Sequence, residues 1–399
     1  MATTLVVNPG SSSRKYALYQ DGQSVLEFRF EDTNTGFEVC TQISEKQQTC
    51  SGINKADFAD SFAYVAEAVQ KYLFSFADHR PLDVIVIRIV APGTFFQKHA
   101  VIDEEYILVL KKREASAPLH IPVILKEIQS IRKQFKHILL VAASDSAFHA
   151  DMPTQAREYS IPASDAQQFD IYRFGYHGLS VMSIVRRVHA IVGQDPKKMI
   201  VCHVGNGTSV TAVKAGKSVE TTMGFAPGTG LPMGSRAGDI DNAALLELMR
   251  VRHWRPSEAE MYVNTHGGLA GIANESDIRR LLDRRSKNDA AATQALDVFA
   301  YNIQKAIAAQ TVALGGLDVL VLTATAVVRS SELRCLILRG LEHLGIQVSQ
   351  DRNDALVGGD GIINLRNSPI KIVVMRTDEM GEMSVVGDTI RMKIKKSSK

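Results

Sequence analysis

The chain has 399 residues, 45% of them hydrophobic and 22% charged. That length allows two or three domains with ample core, and the composition excludes a disordered chain. With 46 basic and 43 acidic residues the net charge is +3, so no nucleic-acid or other polyanionic partner is implied. The basic tail with Arg391, Lys393, Lys395, Lys396 and Lys399 reads as a solvated terminus. No apolar run approaches the ~18 residues of a membrane span, and Met1-Ala2-Thr3-Thr4 lacks the basic start of a secretory signal. Cys40, Cys50, Cys202 and Cys335 do not make a disulfide framework, and none sits in a Cys-x-x-Cys pair, which fits a reducing cytoplasm.

In chain order, short apolar runs predict strands at Leu5–Val7, Val84–Val90, Ile138–Ala143, Met199–Val204, Val319–Leu322 and Ile372–Met375, with helical stretches between them. Alternation of this kind is the pattern of an α/β protein. The clearest helix covers Asn288–Leu314, with Leu296, Phe299, Ala300, Ile303 and Ile307 on one face and Gly315-Gly316 as its stop. No linker rich in Pro, Ser or Gly marks a domain boundary. A faint repeat does. Leu5-Val-Val-Asn8-Pro-Gly10-Ser-Ser-Ser13-Arg-Lys15 leads to Gly22 and Ser24-Val25, and Ile200-Val-Cys-His203-Val-Gly205-Asn-Gly207 leads to Gly216 and Ser218-Val219. Each copy reads as strand, turn of small residues, strand, Gly turn, strand, which suggests two similar lobes. Two unrelated hairpins are the alternative.

Tight turns of Gly and Ser leave backbone N–H groups facing outward and bind anions. Lys15, just past the first turn, could reach the same anion as a point charge. The spacing is not that of a Walker A loop. Polar residues also follow apolar runs, where open α/β sheets bind ligands. Asp145 follows Ile138–Ser144, and Asp378-Glu379 follow Ile372–Met375. For either acid a helix N-cap is the common alternative. Arg88 lies inside Val84–Val90, where a guanidinium must be paired or reach a cleft. A structural ion pair or a water-facing edge are the other readings. The segment Met223–Asp241, rich in Gly and Pro, forms a structured loop in which Arg236 is the natural anion ligand. His120 and His177 sit in turn-rich contexts that also suit core histidines. No set has zinc spacing and no Gly-x-Ser-x-Gly elbow is present. Two lobes, anion-binding turns, two arginines and isolated carboxylates suit phosphoryl transfer, with the substrate unspecified.

In this order the pieces resemble acetate kinase and its propionate and butyrate relatives in the actin/sugar-kinase/Hsp70 superfamily. The resembling stretches are Asn8–Lys15, Ala117–His120, Asp145–Pro153, Gly175–Gly178, Val201–Gly207, Met223–Pro227, Met233–Asp241, Asp297–Tyr301, Ala313–Asp318 and Thr377–Glu379. The resemblance implies an α/β fold of two ribonuclease-H-like lobes with a central cleft, divided at 1–147 (joined by the C-terminal segment 382–399) and 148–381. It implies a cytoplasmic homodimer, free of membrane, that transfers the ATP γ-phosphoryl group to acetate or another short-chain carboxylate with Mg²⁺. Asn8 and Glu379 would hold Mg²⁺. Ser11, Ser13 and Lys15 would line the phosphate path. His203, Val204, Gly205, Asn206 and Gly207 would receive phosphates, and Asp277, Ile278 and Arg279 would touch the nucleoside. Arg88 and Arg236 would grip the carboxylate and the moving phosphoryl group, His177 would stabilise the transition state, and Asp145 would be the essential carboxylate. Acetate is already ionised near pH 7, so a base role for Asp145 is chemically unnecessary. Val90, Leu119, Tyr176 and Pro227 would form the methyl pocket, with His120 beside them.

The departures fall in two places. The family's His-Arg-Val-Val-His-Gly-Gly is Ile87-Arg88-Ile-Val90-Ala91-Pro92-Gly93 here; Ile121 stands for Asn and Tyr176 for Phe. Where the family reads Thr-Ala-Gly-Ile-Gly-Glu-Asn-Ser after its strand, this chain reads Thr323-Ala-Thr325-Ala326-Val327-Val328-Arg329-Ser330. The added Cβ atoms at Thr325 and Val327 suggest a filled adenosine slot. That leaves two alternatives to an ATP-dependent kinase: an acyl kinase with another donor such as pyrophosphate, or a non-catalytic nucleotide-binding paralogue.

Overall fold

The apolar runs become the centres of two sheets in the computed structural model, which describes residues 2–10, 13–33, 36–44, 46–75 and 81–397. The first sheet contains β1 (Thr3–Pro9), β2 (Ser13–Gln20), β3 (Gln23–Thr33), β4 (Gly36–Ile43), β5 (Thr49–Ile53), β6 (Val84–Ile89), β7 (Ala100–Val101) and β8 (Leu139–Ser144). Their order is β5-β4-β3-β2-β1-β6-β8-β7. β1 runs parallel to β6, and β6 parallel to β8. Such strands are covered on both faces, which is why Leu5, Val6 and Val7 are consecutive, apolar and all 0% exposed. The second sheet contains β9 (Lys198–Val204), β10 (Thr208–Lys214), β11 (Lys217–Thr221), β12 (Val319–Thr323), β13 (Gly361–Ile362) and β14 (Lys371–Met375), in the order β11-β10-β9-β12-β14-β13.

The two sheets share a path. Each starts with an antiparallel three-strand meander whose first strand then pairs in parallel with a later one. The agreement extends to local detail. Asp21-Gly22 (φ 52° and 82°) and Ala215-Gly216 (φ 49° and 80°) turn the second hairpin of each unit with two left-handed residues, as a two-residue hairpin matched to strand twist requires. The ladder then slips at Leu18/Tyr19 in one copy and at Ala212/Val213 in the other. With Gly22 placed on Gly216, these two bulges coincide. Unrelated hairpins have no reason to share a bulge, so the repeat in the sequence is a repeat in the fold.

By contact density the chain separates into Met1–Ala147 with Asp378–Lys399, and Phe148–Thr377. In that division Glu379 falls with the first unit. The long helix starts at Ala290, with the Asp289 side chain accepting from the Ala292 N–H, and ends at Gly315 (φ 67°). Its Leu296, Phe299, Ile303 and Ile307 enter the second unit's core.

The cysteine reading needs correction. Cys40 and Cys50 are direct partners across β4 and β5 and are joined by a disulfide. Their argument for a reducing compartment is thereby lost; Cys202 and Cys335 are free thiols. No helix among the described residues is long and apolar enough to cross a membrane.

Candidate active site

Arg88 answers the question that its sequence position poses. It sits near the carboxyl end of β6, and its side chain is 20% exposed. Nη2 donates to Asp145 Oδ2 at 2.9 Å, and Nη1 donates to Asn8 Oδ1 at 3.4 Å. Glu379 Oε2 lies 3.6 Å from the same Nη1. Burial pulls the guanidinium toward neutrality, but the carboxylates of Asp145 and then Glu379 outweigh it and hold it charged above its ordinary range. Three residues that the sequence reading assigned to metal and catalysis thus meet on the guanidinium of a fourth, assigned to substrate, within the first unit. Backbone geometry fixes Asp145, whose N–H donates to the Ile89 carbonyl at 2.9 Å. The preceding Ser144 N–H donates to His99 Nδ1 at 3.1 Å. Burial, with Lys393 adding to it, pushes His99 down to about 4, so the imidazole stays neutral and able to accept. Lys15 is exposed on β2 directly opposite Asn8, and Ser13 opens that strand. Ser11 lies outside the described residues.

The second unit gathers a different set. His177 caps the helix Gly178–Arg187 in a left-handed conformation (φ 60°, ψ 19°), which for a non-glycine residue stores about 1–3 kcal/mol. Its ring stacks on His203 at 4.0 Å between centroids and 24° between planes. Ser209 Oγ lies 2.9 Å from His177 Nδ1, and Ser180 Oγ 2.8 Å from His203 Nδ1. His203 and Val204 end β9, and Gly205-Asn206-Gly207 form the turn into β10. A Cβ on Gly207 would fall 2.9 Å from His177 Nε2 and 3.7 Å from Arg236 Nη1, so only glycine lets both groups flank that backbone. Arg236 Nη1 also donates to the Pro227 carbonyl at 3.2 Å. A Cβ on Gly234 would meet Asn206 Oδ1 at 3.3 Å and Ser276 Cβ at 3.5 Å, which brings the Arg236 loop and the start of Asp277–Arg279 to the turn. Asp277 caps the next helix by accepting from the Arg279 N–H, and its hydrogen bonds from the Arg279 side chain hold its carboxyl below the usual range.

Of the two β-branched residues expected to fill the adenosine slot, Val327 is turned away from solvent. Thr325–Arg329 is a short helix whose N-cap, Ala324, has φ 75°. Val327 and Val328 are 0% and 4% exposed and point into the hydrophobic core with Leu320, Leu322 and Ile337. Only Thr325 and Arg329 of this segment are exposed. The helix is tied down by Arg334, itself 0% exposed, which donates to the carbonyls of Val327 at 2.6 Å and Leu356 at 2.7 Å and to Asn353 Oδ1 at 2.6 Å. A Cβ on Gly205 would stand 3.4 Å from Ala324 Cβ, so this helix starts beside the β9–β10 turn.

Comparison with known proteins decides the family. The description "Acetokinase family" matches residues 3–385. The chain belongs to the acetokinase family. It is 34% identical over 393 residues to the acetate kinase of Desulforamulus reducens, covering 96% of this chain and 98% of that one. Among solved structures it is similar to a propionate kinase from Francisella tularensis (29% identity, TM-score 0.88, covering 98% and 100%) and to Porphyromonas gingivalis acetate kinase (28%, TM-score 0.84, covering 98% and 100%). The two-sheet α/β architecture is therefore the actin-like fold of acetokinases.

Arg88 holds this cluster with Ile87 and Ala91 on either side, where the resemblance placed histidines. The remaining expected residues are distributed over both units. Val90 and Leu119 are in the first, Leu119 at 39% exposure; His120 there precedes the helix Ile121–Gln134. Tyr176 and Pro227 are in the second. The extra hydroxyl of Tyr176 donates to the Phe225 carbonyl at 2.7 Å, and the residue is 1% exposed, so that hydroxyl is already engaged within its own loop. Sequence reasoning missed His99, His149, Ser180 and Ser209. His149 is fully buried, with Nε2 3.0 Å from the Tyr176 carbonyl, and so supports the residue preceding His177. A usable signal existed: Thr208, Ser209 and Thr211 are polar residues in a strand that is otherwise apolar up to Lys214, and buried polar groups require partners.

Proposed function

We propose that the protein is an acetate kinase, transferring the γ-phosphoryl group of ATP to acetate with formation of acetyl phosphate and ADP. The observation that carries the reading is the Arg88 cluster, set beside family membership over nearly the whole chain. The bond from the γ-phosphorus to the ADP oxygen breaks, and one from the same phosphorus to an acetate oxygen forms. Acetate is anionic near pH 7, so the obstacle is the approach of one anion to another rather than activation of a nucleophile. Fixed positive charge and N–H donors meet that need, because they are oriented before charge moves.

In this reading Arg88 binds the acetate carboxylate, and Asp145 holds the guanidinium in place rather than acting as a base. Lys15 and Ser13 attend the phosphates from the first unit. From the second, the Gly205–Gly207 turn offers backbone N–H groups, Arg236 supplies charge, and His177 donates to phosphoryl oxygen. Asn8 and Glu379 are the proposed Mg²⁺ ligands: both carry hard oxygens, which contact Arg88 Nη1, and this ion is commonly held by one or two protein oxygens plus phosphate and water. Mg²⁺ would supply charge neutralisation at the phosphates. The nucleoside would lie by Asp277–Arg279 and Thr325–Arg329. A homodimer and a cytoplasmic location complete the reading.

Of the two added β-branched residues only Thr325 is exposed, since Val327 is buried in the core, and neither alternative gains support. Incubation with ATP, acetate and Mg²⁺, with hydroxylamine to trap acyl phosphate, tests the proposal. Acyl hydroxamate is expected; its absence at saturating ATP and acetate would overturn it.

A further inference from the structure

Three imidazoles in the second unit each meet a buried serine at Nδ1: His149 with Ser218 at 2.8 Å, His177 with Ser209 at 2.9 Å and His203 with Ser180 at 2.8 Å. For His149 the ring's other side settles which nitrogen carries hydrogen. Its Nε2 faces the Tyr176 carbonyl, which can only accept, so Nε2 is protonated and Nδ1 is left to accept from Ser218.

For His177 and His203 the serines settle it. Ser209 and Ser180 are both 0% exposed, and neither hydroxyl has another partner among the described residues. Were an Nδ1–H to donate to either oxygen, that hydroxyl hydrogen would be buried without an acceptor, at a cost of ~1–3 kcal/mol. If the serine donates instead, its hydroxyl hydrogen is satisfied and the ring hydrogen moves to Nε2. The opposite tautomer and the doubly protonated ring both require Nδ1–H, so both are disfavoured.

We propose that Ser209 and Ser180 are positioning residues that hold His177 and His203 as Nε2–H tautomers, so that the stacked rings present N–H donors side by side toward phosphoryl oxygen. The left-handed backbone of His177 keeps its ring on the stack, and Gly207 leaves room beside its Nε2. This inference deepens the transfer reading above and rests on it for the destination of the donors; the tautomers follow from the hydrogen bonds alone.

Full-length chain labelled with ¹⁵N-histidine, followed by two-bond ¹H–¹⁵N correlation, tests it. Signals of His177 and His203 are assigned by their loss in His177→Gln and His203→Gln. Both rings are expected to show a pyridine-like Nδ1 and a pyrrole-like Nε2. Ser209→Ala should bring the second tautomer to His177 and lower kcat roughly tenfold, the low end of what losing the orienting partner of a metal-bound imidazole costs, with the KM for acetate within about twofold. Ser209→Thr should restore both. His149 reports folding of each variant, because its Ser218 and Tyr176 bonds are untouched. A pyrrole-like Nδ1 on His177 in the unaltered chain overturns the proposal, even if Ser209→Ala cannot be folded. So does a tautomer shift in Ser209→Ala without loss of kcat. If the unaltered chain forms no acyl phosphate, the transfer reading fails instead, and the nitrogen shifts still report the tautomers.

Discussion

At the hairpin that opens the first unit, Asn8 faces Lys15 across β1 and β2; at the one that opens the second, His203 faces Ser209 across β9 and β10. The paths and bulges coincide, yet the chemistry does not. One copy sets an amide oxygen against a cation, beside a guanidinium ringed by carboxylates. The other sets an imidazole against a hydroxyl, beside a glycine turn. A duplicated frame fixes where side chains project, while residue type decides what chemistry each sheet end presents.

The sharpest way to break this comparison is at the first unit's guanidinium. Arg88→Ala removes charge from a site built around it, and loss of one preorganised donor costs about 10²–10³ in kcat. It also leaves Asp145, with a side chain 1% exposed, without its cation, so stability should fall by about 3–5 kcal/mol. Arg88→Lys restores charge but not the two-pronged geometry and should recover only part of the rate. Hydroxamate trapping and thermal unfolding read the two effects. Full activity in Arg88→Ala would mean that the first unit's cluster is structural only.

A slightly smaller effect separates the units by pH. Glu127, in the helix Ile121–Gln134 of the first unit, is 4% exposed, and Oε1 has no hydrogen-bond partner among the described residues. Burial pushes its carboxyl up from 4.5 to about 7. A folded-state value above the unfolded one means that the stabilisation is fully present below about pH 4.5 and is lost as pH rises through about 7, amounting to about 3 kcal/mol. Glu127→Gln should abolish this slope. Hydrogen exchange at pH 6 and pH 8 is expected to show the loss in the first unit's helix and not in the helix Ala290–Leu314. A slope unchanged in Glu127→Gln would place the titrating group elsewhere.

How much of this was legible in the sequence differs between features. The repeat was, because a two-residue turn with left-handed backbone leaves glycine at Gly22 and Gly216. That Arg88 needed a partner was legible too, since a guanidinium in an apolar strand cannot stand alone. Its partners were not: Asp145 is 57 positions away, and only the parallel register of β6 with β8 brings them together. Val327 was misread because a Cβ at a glycine position says nothing about direction; here it points into the core. Ser209 passed unnoticed because a serine beside Gly207 looks like turn chemistry until β10 is seen to be buried.

The Cys40–Cys50 bond offers a smaller test. It closes a loop of sequence separation 10 at the edge of the first sheet, which by chain entropy stabilises by about 2–3 kcal/mol. Cys50→Ser should lower stability by that amount. Yet β3 and β2 stand between this edge and Asn8, so kcat is expected to stay within about twofold. A tenfold loss would tie the edge strand to the site.

The smallest expected effect lies at Thr325, where the two units' uses of small residues can be told apart. In the second unit glycine at 207 is required by close contact, since a Cβ there would meet His177 Nε2 at 2.9 Å. If the family's glycine at 325 served a similar steric purpose, Thr325→Gly would lower the KM for ATP by tenfold or more. The geometry argues otherwise: Thr325 is exposed, and the helix it opens is held by Val327 and Val328 in the core and by Arg334 on their carbonyls. Removing one exposed side chain moves neither anchor. The KM for ATP should therefore change by no more than about twofold, the ~0.5 kcal/mol usual for surface substitutions. Steady-state kinetics at saturating acetate decides between a slot narrowed by threonine and a platform whose position is set from beneath.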